Sequence, residues 1–170
     1  MNRDRVLKDR GWKNTEDLAK GPNGRPLCRF CQKETAPPKR SFCGPECVHE
    51  WKLRSNPGYA RKKVFERDRG VCSQCRLDTE KLKETLYALR LTNEVAYQQV
   101  VLAYRKQYRF GFNLNEHHWE MDHTQPVSQG GGCCGLNNLT TLCRVCHNKK
   151  TKGEGHRKRL RRKGLTAQWR

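Results

Sequence analysis

Eight of the ten cysteines in this 170-residue chain stand in four close pairs, which limits the folds it can adopt. Cysteines separated by two or three residues are poorly placed to bond within a pair, but two such pairs suit tetrahedral zinc. Hydrophobic residues make up only 34% of the sequence, against roughly 45–50% in ordinary domains. We therefore predict that zinc, rather than a large apolar core, holds the fold together. The pairs are Cys28/Cys31, Cys43/Cys47, Cys72/Cys75 and Cys143/Cys146.

The chain also carries a large excess of positive charge, with 36 Lys and Arg against 17 Asp and Glu and a formal net charge of +19. Such a field attracts polyanions, and release of counterions from phosphates drives most non-specific binding to nucleic acid. No apolar run of about 18 residues is present to span a membrane, and no strongly amphipathic basic helix with aromatic anchors stands out, so no membrane partner is expected. The first residues do not form an apolar signal region, which predicts reduced thiols and an intracellular location, in cytoplasm, nucleoid or nucleus.

Two zinc sites with four cysteines each follow from the spacing. The first site combines Cys28, Cys31, Cys43 and Cys47, and His49 is an alternative ligand that four thiolates make unnecessary. A structural role is expected for this site, with DNA contact as the alternative. The second site joins Cys72 and Cys75 to Cys143 and Cys146 across a wide gap, which would fix the start of the helix after Cys143.

Hydrophobic spacing predicts helices in the first two thirds of the chain. Pro45 suits the first turn of one helix, and residues 57–69 read as another that stops at Gly70. Asp78 is a candidate N-cap for a helix. The spacing i, i+4, i+7 then recurs, and the two runs predict a helical hairpin whose tyrosines face its core. The runs are Leu82, Leu86, Leu89 and Tyr97, Val101, Tyr104, Tyr108.

The last third is predicted to run strand, loop, strand, helix. Residues 119–123 alternate in polarity, residues 136–142 are a second strand or extended segment, and a helix begins near Cys143. The overall expectation is a small α+β, zinc-stabilised fold. Its predicted parts are a loose arm over 1–27, a zinc module over 28–55, a main domain over 56–151 with a helical insertion at about 78–109, and a basic tail over 152–170.

Four residues in the main domain form a set of side chains able to cleave a phosphodiester bond. Asp122 and His147 can hold a divalent cation, His123 can take a proton from water, and Asn138 can orient His123. Glu120 shares a strand face with Asp122. His117 and His118 are expected at the surface. Cys133 and Cys134 are left over, so a ligand set that includes Cys134 stays open. The Cys-x-x-Cys-His run ending at His147 also matches a haem-attachment motif, but haem is disfavoured because Cys72 and Cys75 complete a zinc site with this pair and no signal region is present.

These residues closely resemble the signature of the HNH, or ββα-metal, nuclease family in its zinc-containing branch. The segments 51–56, 63–66, 70–72 and 130–139 are similar to the C-terminal HNH domain of the zinc-finger annealing-helicase and endonuclease family. The likeness extends from about Cys28 to Thr151. No nucleotide-binding loop of the type GxxxxGK[ST] occurs, so no helicase motor is expected in this sequence.

The resemblance implies a role for each position. His123 would be the general base, Asp122 and His147 would bind one Mg²⁺ or Mn²⁺, and Asn138 rather than Asn137 would hold the loop and ring of His123. Lys150 would contact a phosphate. The implied activity is hydrolysis of DNA to 3′-hydroxyl and 5′-phosphate ends, by nicking if the chain is a monomer. RNA cleavage, and a non-catalytic zinc module that binds nucleic acid, are the alternatives.

Overall fold

The computed structural model describes residues 13–109 and 111–162. The described chain divides into two compact units, one of residues 13–64 and 123–139 and the other of 65–109, 111–122 and 140–162. Its α+β element order, with a final strand–strand–helix run, confirms the predicted fold class. The elements are α1 (Pro45–Ser55), α2 (Pro57–Asp68), α3 (Thr79–Thr92), α4 (Glu94–Tyr108), β1 (Trp119–His123), β2 (Leu139–Cys143) and α5 (Arg144–Arg162).

The first unit is built around the first cysteine module and α1. Pro45 occupies the first turn of α1, as predicted, where its missing N–H costs no hydrogen bond. The helix buries Trp51 and Leu53, and α2 buries Ala60 and Val64. Aromatic and aliphatic burial on these two helices therefore gives the first unit an apolar core beside its thiols.

Part of the predicted loose arm is tied to the cysteine module, which corrects that expectation. The Leu27 N–H donates to the Ala19 carbonyl at 2.7 Å, and Leu27 also forms an antiparallel bridge with Glu34. Leu18 is buried, and the Glu34 carboxylate accepts hydrogen bonds from Asn23 at 2.7 Å. A turn that folds back on the module satisfies these backbone groups, a result that composition alone did not reveal. Residues 1–12 of the predicted arm lie outside the described chain.

The predicted helical hairpin is present in the second unit as α3 and α4. Asp78 caps α3 by accepting hydrogen bonds from the N–H groups of Glu80 and Lys81. Asn93 stands between the helices and caps the start of α4. The tyrosine stripe faces the core, as predicted, since Tyr97 is buried. The cluster contains Leu86, Tyr97, Phe112 and Leu114, with Leu82, Leu89, Val101 and Tyr104 packed against it.

The two strands form an antiparallel pair. Arg144 N–H donates to the His118 carbonyl at one end, and Thr124 N–H donates to the Asn138 carbonyl at the other. β1 has the predicted bounds. β2 begins three residues later than the predicted segment, because Leu136–Asn138 form a short 3₁₀ turn before it.

The final helix starts at Arg144, as predicted, and continues to Arg162. The predicted boundary before a basic tail at residue 152 is therefore not a break in structure. Residues 163–170 of that tail lie outside the described chain. Among the described residues, the helices are all too short or too polar to cross a membrane.

Candidate active site

The first cysteine cluster has the dimensions of a tetrahedral metal site. The sulfur atoms of Cys28, Cys31, Cys43 and Cys47 all lie within 4.8 Å of one another. The Cys31 and Cys43 sulfurs are 3.5 Å apart. That distance is far above the roughly 2.05 Å of a disulfide and close to the roughly 3.8 Å expected between ligands at about 2.3 Å from one zinc ion. The cluster could therefore hold zinc, as the spacing predicts.

The second cluster has the same dimensions and brings together residues far apart in sequence. Its four sulfurs also lie within 4.8 Å of one another, and the Cys75 and Cys143 sulfurs are 3.7 Å apart. Cys143 ends β2 and Cys146 lies in the first turn of α5. A metal at this cluster would thus fix the start of the helix that carries His147, as predicted.

One thiol in each cluster is made acidic by the backbone. Burial raises the pKa of Cys28, but hydrogen bonds from the backbone at Cys31, Cys43 and Phe30 outweigh it and lower that pKa to about 7. The same balance lowers the pKa of Cys72 to about 7. Burial and neighbouring sulfurs raise the pKa of Cys43 to about 12. Four thiolates in one cluster therefore need a cation between them, which is the usual condition for zinc binding.

The most informative contact in the predicted active site is an ion pair between β1 and α5. The Lys150 ammonium lies 2.8 Å from an Asp122 oxygen, and both side chains are about one-fifth exposed, at 23% and 20%. Lys150 was predicted to contact a phosphate, and the structure pairs it with the predicted metal ligand. The Lys150 ammonium lies next to the carboxylate that the sequence predicts as a metal ligand, so Asp122 is in a position that favours a positive charge beside it.

The periodicity of α5 and β1 puts other predicted residues on the same faces as this ion pair. His147 lies three residues before Lys150 on α5, and Glu120 lies two residues before Asp122 on β1, so each pair shares a face of its element. His147 and Glu120 line the same cleft. The face of α5 with His147 and Lys150 is therefore directed at the face of β1 with Glu120 and Asp122.

That cleft has a volume of about 430 Å³ and is open at its mouth. Its wall includes an ion pair, because the Arg144 guanidinium donates to a Glu116 oxygen at 2.6 Å. Hydrogen bonds from Arg144 and Asn113 lower the pKa of Glu116. The cleft is polar and of mixed charge beside His147. It is lined by Gly111, Phe112, Asn113, Glu116, Glu120, Arg144, His147 and Asn148.

Asn138 closes the loop that follows His123. Its side-chain oxygen accepts a hydrogen bond from the Gln125 N–H at 2.7 Å. Its amide donates to the carbonyls of Gln125 at 3.2 Å and Gly131 at 2.8 Å. Its own carbonyl accepts from the Thr124 N–H at 2.9 Å. Four hydrogen bonds from one residue thus fix the backbone immediately after the predicted general base.

Gly131 is required by the same loop. A Cβ atom built at this position would collide with the Gln125 carbonyl and would crowd the Asn138 amide at 2.8 Å. Asn137, the alternative to Asn138, is exposed. Cys133 and Cys134 are half-buried and belong to neither metal cluster of the described chain. The Gly-rich run was predicted only as a loop, and the tight fit of Gly131 had no separate signal in the sequence.

His118 is a correction to the sequence-based expectation. It was predicted at the surface, but it is 3% exposed and its ring stacks on Phe112 with 3.6 Å between centroids. His117 is exposed, as expected. His118 directly precedes β1, and the Phe112 ring covers its imidazole, so tertiary packing rather than strand alternation buries it. Arg144 and Glu116 were missed altogether, because their ion pair spans 28 residues.

The predicted residues are distributed over both units: Asp122, His147 and Lys150 belong to the second, and His123 and Asn138 to the first. His123 is the last residue of β1 and is half-buried. Within the second unit, Asp122 is brought against Lys150, and His147 is placed on the same helix face. Within the first unit, Asn138 is bonded to the loop that His123 begins.

The chain belongs to the HNH endonuclease family, whose model matches residues 110–153. It is 34% identical to the HNH domain of human ZRANB3 in a crystal structure, over 64% of this chain and 97% of that one, with a TM-score of 0.42. The segment matched by the family model, residues 110–153, contains every residue of the predicted active site, from Asp122 to Lys150.

Longer curated proteins match over a small share of their length. The chain is 35% identical over 167 residues to the DNA annealing helicase and endonuclease ZRANB3 of Homo sapiens. It is 34% identical over 165 residues to the protein of the same name from Bos taurus. Each match covers 85% of this chain and 15% of the relative. The chain therefore corresponds to only a small part of each of these relatives.

Proposed function

We propose that this chain is a metal-dependent endonuclease that hydrolyses DNA phosphodiester bonds and leaves 3′-hydroxyl and 5′-phosphate ends. The observation that carries the proposal is the contact between β1 and α5, in which Lys150 lies 2.8 Å from Asp122. In this contact Asp122 meets the helix that also carries His147, three residues before Lys150, which supports a shared site for the two side chains. Membership of the HNH endonuclease family supports the same reading.

Asp122 and His147 are the residues that would hold the catalytic cation. One carboxylate oxygen and one imidazole nitrogen leave most of the coordination shell of Mg²⁺ or Mn²⁺ to water and substrate oxygens. Such a cation, when bound, stabilises negative charge on the phosphoryl oxygens. Lys150 then exchanges Asp122 for a phosphate oxygen of the substrate, since its ammonium is already within reach of the site.

His123 provides the base. Its imidazole accepts a proton from the water that attacks phosphorus, and a neutral imidazole is suited to this near pH 7. The bond from phosphorus to the 3′-oxygen breaks, and that oxygen leaves as a hydroxyl after taking a proton from solvent. Asn138 acts through the loop: by fixing the backbone at Thr124 and Gln125, it limits the positions that the neighbouring His123 can adopt.

Two structural zinc ions complete the proposed cofactors, one at each cysteine cluster. The sulfur distances of 3.5 and 3.7 Å support this assignment. A single active site per chain supports nicking of one strand by a monomer, in an intracellular setting that keeps the thiols reduced. The DNA substrate is supported by the net charge of +19 and by the family.

The alternative is a zinc-stabilised module that binds nucleic acid without cutting it. In this alternative Lys150 stays paired with Asp122, and no catalytic cation binds beside the carboxylate. The two functions differ in their dependence on His123, which binding alone does not require.

Nicking of supercoiled plasmid DNA with added Mg²⁺ or Mn²⁺ separates these functions. His123→Ala should lower the cleavage rate by at least about 10²-fold, the usual contribution of a general base. His117→Ala is the matched control, since it removes an exposed imidazole close in sequence, and it should retain the wild-type rate. Equal nicking by both variants, or none by the wild-type protein, would reject the nuclease. A competing RNA duplex that is cut faster than the plasmid would reject DNA as the substrate.

A further inference from the structure

The α3–α4 hairpin exposes an unusual number of large apolar side chains. Among the described residues, six large hydrophobic side chains are exposed, and five of them lie in this hairpin. Leu91 is 71% exposed, Val95 69%, Leu102 61% and Tyr87 55%. These four residues are here named the hairpin face. Apolar groups that are exposed together in this way are typical of protein interaction sites.

Helix periodicity places the hairpin face away from the core that the two helices share. Leu91 lies five residues after the buried Leu86, and Leu102 lies five residues after the buried Tyr97. Five residues correspond to about 140° around a helix axis, so both leucines point away from that core. The other two members of the face lie four and seven residues from these leucines and share their helix faces. The face is therefore not used by the packing of the hairpin itself.

The same part of the hairpin carries few charges. Residues 85–103 contain two charged residues, Arg90 and Glu94, whereas the 31% charged content of the whole chain would predict about six. These two residues directly precede Leu91 and Val95 in the sequence. The Arg90 guanidinium lies 3.8 Å from a Glu94 oxygen, and both side chains are about half exposed. Depletion of charge around large apolar groups is typical of the central part of protein interfaces.

We propose that the hairpin face binds the hairpin face of a second copy of this chain across a two-fold axis. A two-fold interface uses the same patch on both copies, so the patch must be complementary to itself. The hairpin face meets this condition, because its apolar residues can pack on their counterparts while Arg90 of each copy pairs with Glu94 of the other. Each copy carries all of the proposed active-site residues, so the self-association does not depend on the proposed function.

The charge distribution of the chain favours a second copy as the occupant. With a net charge of +19, two copies repel each other over most of their surfaces. Residues 85–103 are neutral overall, so two copies can approach there with little repulsion. DNA does not suit the same surface, because a neutral apolar face offers no excess of cations to its phosphates. An acidic protein partner gains little there either, since Arg90 already has a glutamate beside it.

Analytical ultracentrifugation of the purified full chain measures the association. The wild-type protein should form dimers as its concentration rises through the micromolar range. The dimer should become more stable when salt is raised from about 0.1 M to about 1 M, because the Debye length falls from about 10 Å to about 3 Å and the repulsion between copies is screened. Binding to DNA has the opposite salt dependence. A protein that stays monomeric up to about 1 mM in both salts would overturn the proposal.

Paired substitutions test which surface associates. Leu91→Gln with Leu102→Gln should raise the Kd of the dimer by at least about tenfold, because each dimer loses the burial of four leucine side chains. The matched control is Val100→Gln with Val127→Gln, which also replaces two exposed apolar side chains and should keep the wild-type Kd. Val100 lies in the same hairpin but about 140° around α4 from Val95, and Val127 lies outside the hairpin. Equal effects of the two pairs would contradict the proposed surface.

Reversal of single charges tests the two-fold arrangement. Arg90→Glu leaves two carboxylates beside the face, and Glu94→Arg leaves two guanidinium groups. Like charges then meet across the axis, so each variant alone should stay monomeric at concentrations at which the wild-type protein dimerises. An equimolar mixture should form a heterodimer, because opposite charges face each other. Circular dichroism checks that both variants are folded. A mixture that associates no more than either variant alone would rule out the two-fold pairing.

Other occupants of the hairpin face give different results in the same experiments. If another part of the same chain covers the face, Leu91→Gln with Leu102→Gln should lower the melting temperature of the dilute protein without changing its oligomeric state. If a different protein covers it, this pair should change neither the oligomeric state nor the melting temperature. Either result would overturn the proposed self-association.

Discussion

A buried imidazole couples this fold to pH. His118 is packed flat against Phe112 and is almost fully enclosed. Burial is the main cause that lowers the pKa of His118 below its ordinary value of 6.5, and the positive charges of Arg144 and Lys83 act in the same direction. The folded state therefore keeps the ring neutral under mildly acidic conditions in which the unfolded chain protonates it.

The sign of the resulting pH dependence follows from that difference. Well above pH 6.5 the ring is neutral in both states, so its titration does not change the free energy of unfolding. As the pH falls below 6.5, the unfolded chain binds a proton that the folded chain resists, and the free energy of unfolding decreases. His118→Phe should remove this decrease, because it keeps an aromatic ring against Phe112 and has no proton to bind.

Urea denaturation of both proteins at pH 7.5, 6.0 and 5.0 measures the effect. The free energy of unfolding of His118→Phe minus that of the wild-type protein should increase steadily as the pH is lowered from 7.5 to 5.0. Other titrating groups contribute to both proteins and cancel in the difference. A difference that stays constant over this range would show that His118 is protonated equally in the two states.

At the scale of elements, one aspartate joins the end of α2 to the middle of β2. An Asp68 oxygen accepts hydrogen bonds from the Thr141 hydroxyl at 2.9 Å and from the Thr141 N–H at 3.2 Å. Thr141 is completely buried. The Arg67 side chain and then Thr141 lower the pKa of Asp68, so the carboxylate is charged and needs these partners.

Thr141→Val should therefore destabilise the second unit by about 1–3 kcal/mol, because it removes a hydroxyl donor from a partly buried carboxylate while keeping the side-chain shape. The adjacent Thr140→Val is the matched control: its hydroxyl bonds to Ser73 at an exposed site, and about 0.5 kcal/mol or less is expected. Denaturant midpoints give both values. Equal losses in the two variants would show that the Asp68 contact contributes no specific stability.

At the scale of the whole molecule, we expect metal bound at the two cysteine clusters to supply stability that the small apolar core lacks. Each unit contains one cluster, and each cluster gathers sulfurs to within 4.8 Å. Because four close thiolates repel one another, removing the metal should unfold the segments that they join. Strong chelators should accordingly abolish the cooperative thermal transition.

Metal analysis of the wild-type protein and of single cysteine variants measures how many zinc ions each binds. The purified protein should contain two zinc ions per chain, and Cys75→Ser should contain one. Cys134→Ser is the control, since Cys134 belongs to neither cluster, and it should keep both ions with an unchanged melting temperature. Loss of zinc from Cys134→Ser would instead assign that cysteine to a ligand set, the alternative that the sequence left open.

Local signals in the sequence were sufficient for most elements. The Asp78 cap, the leucine and tyrosine periodicity and the proline at residue 45 each act within a few residues, so α1, α3 and α4 were predictable. The cysteine clusters were predictable as well, because zinc restricts its ligands to few residue types and short spacings.

Contacts between distant residues were not predictable in the same way. The pairing of Lys150 with Asp122 joins residues 28 positions apart, and nothing in either segment indicates it. The burial of His118 depends on Phe112 closing over it, and the requirement for Gly131 depends on where Gln125 directs its carbonyl. Each of these features is determined by tertiary packing, which a single sequence does not show.

The central claim is that Asp122 and His147 share one exchangeable cation, and anomalous diffraction from crystals soaked in Mn²⁺ tests it most directly. We expect one manganese peak in contact with the Asp122 carboxylate and the His147 imidazole, with the Lys150 ammonium displaced from Asp122. A protein that takes up no manganese at this position, and in which Lys150 keeps its contact with Asp122, would contradict the proposed active site.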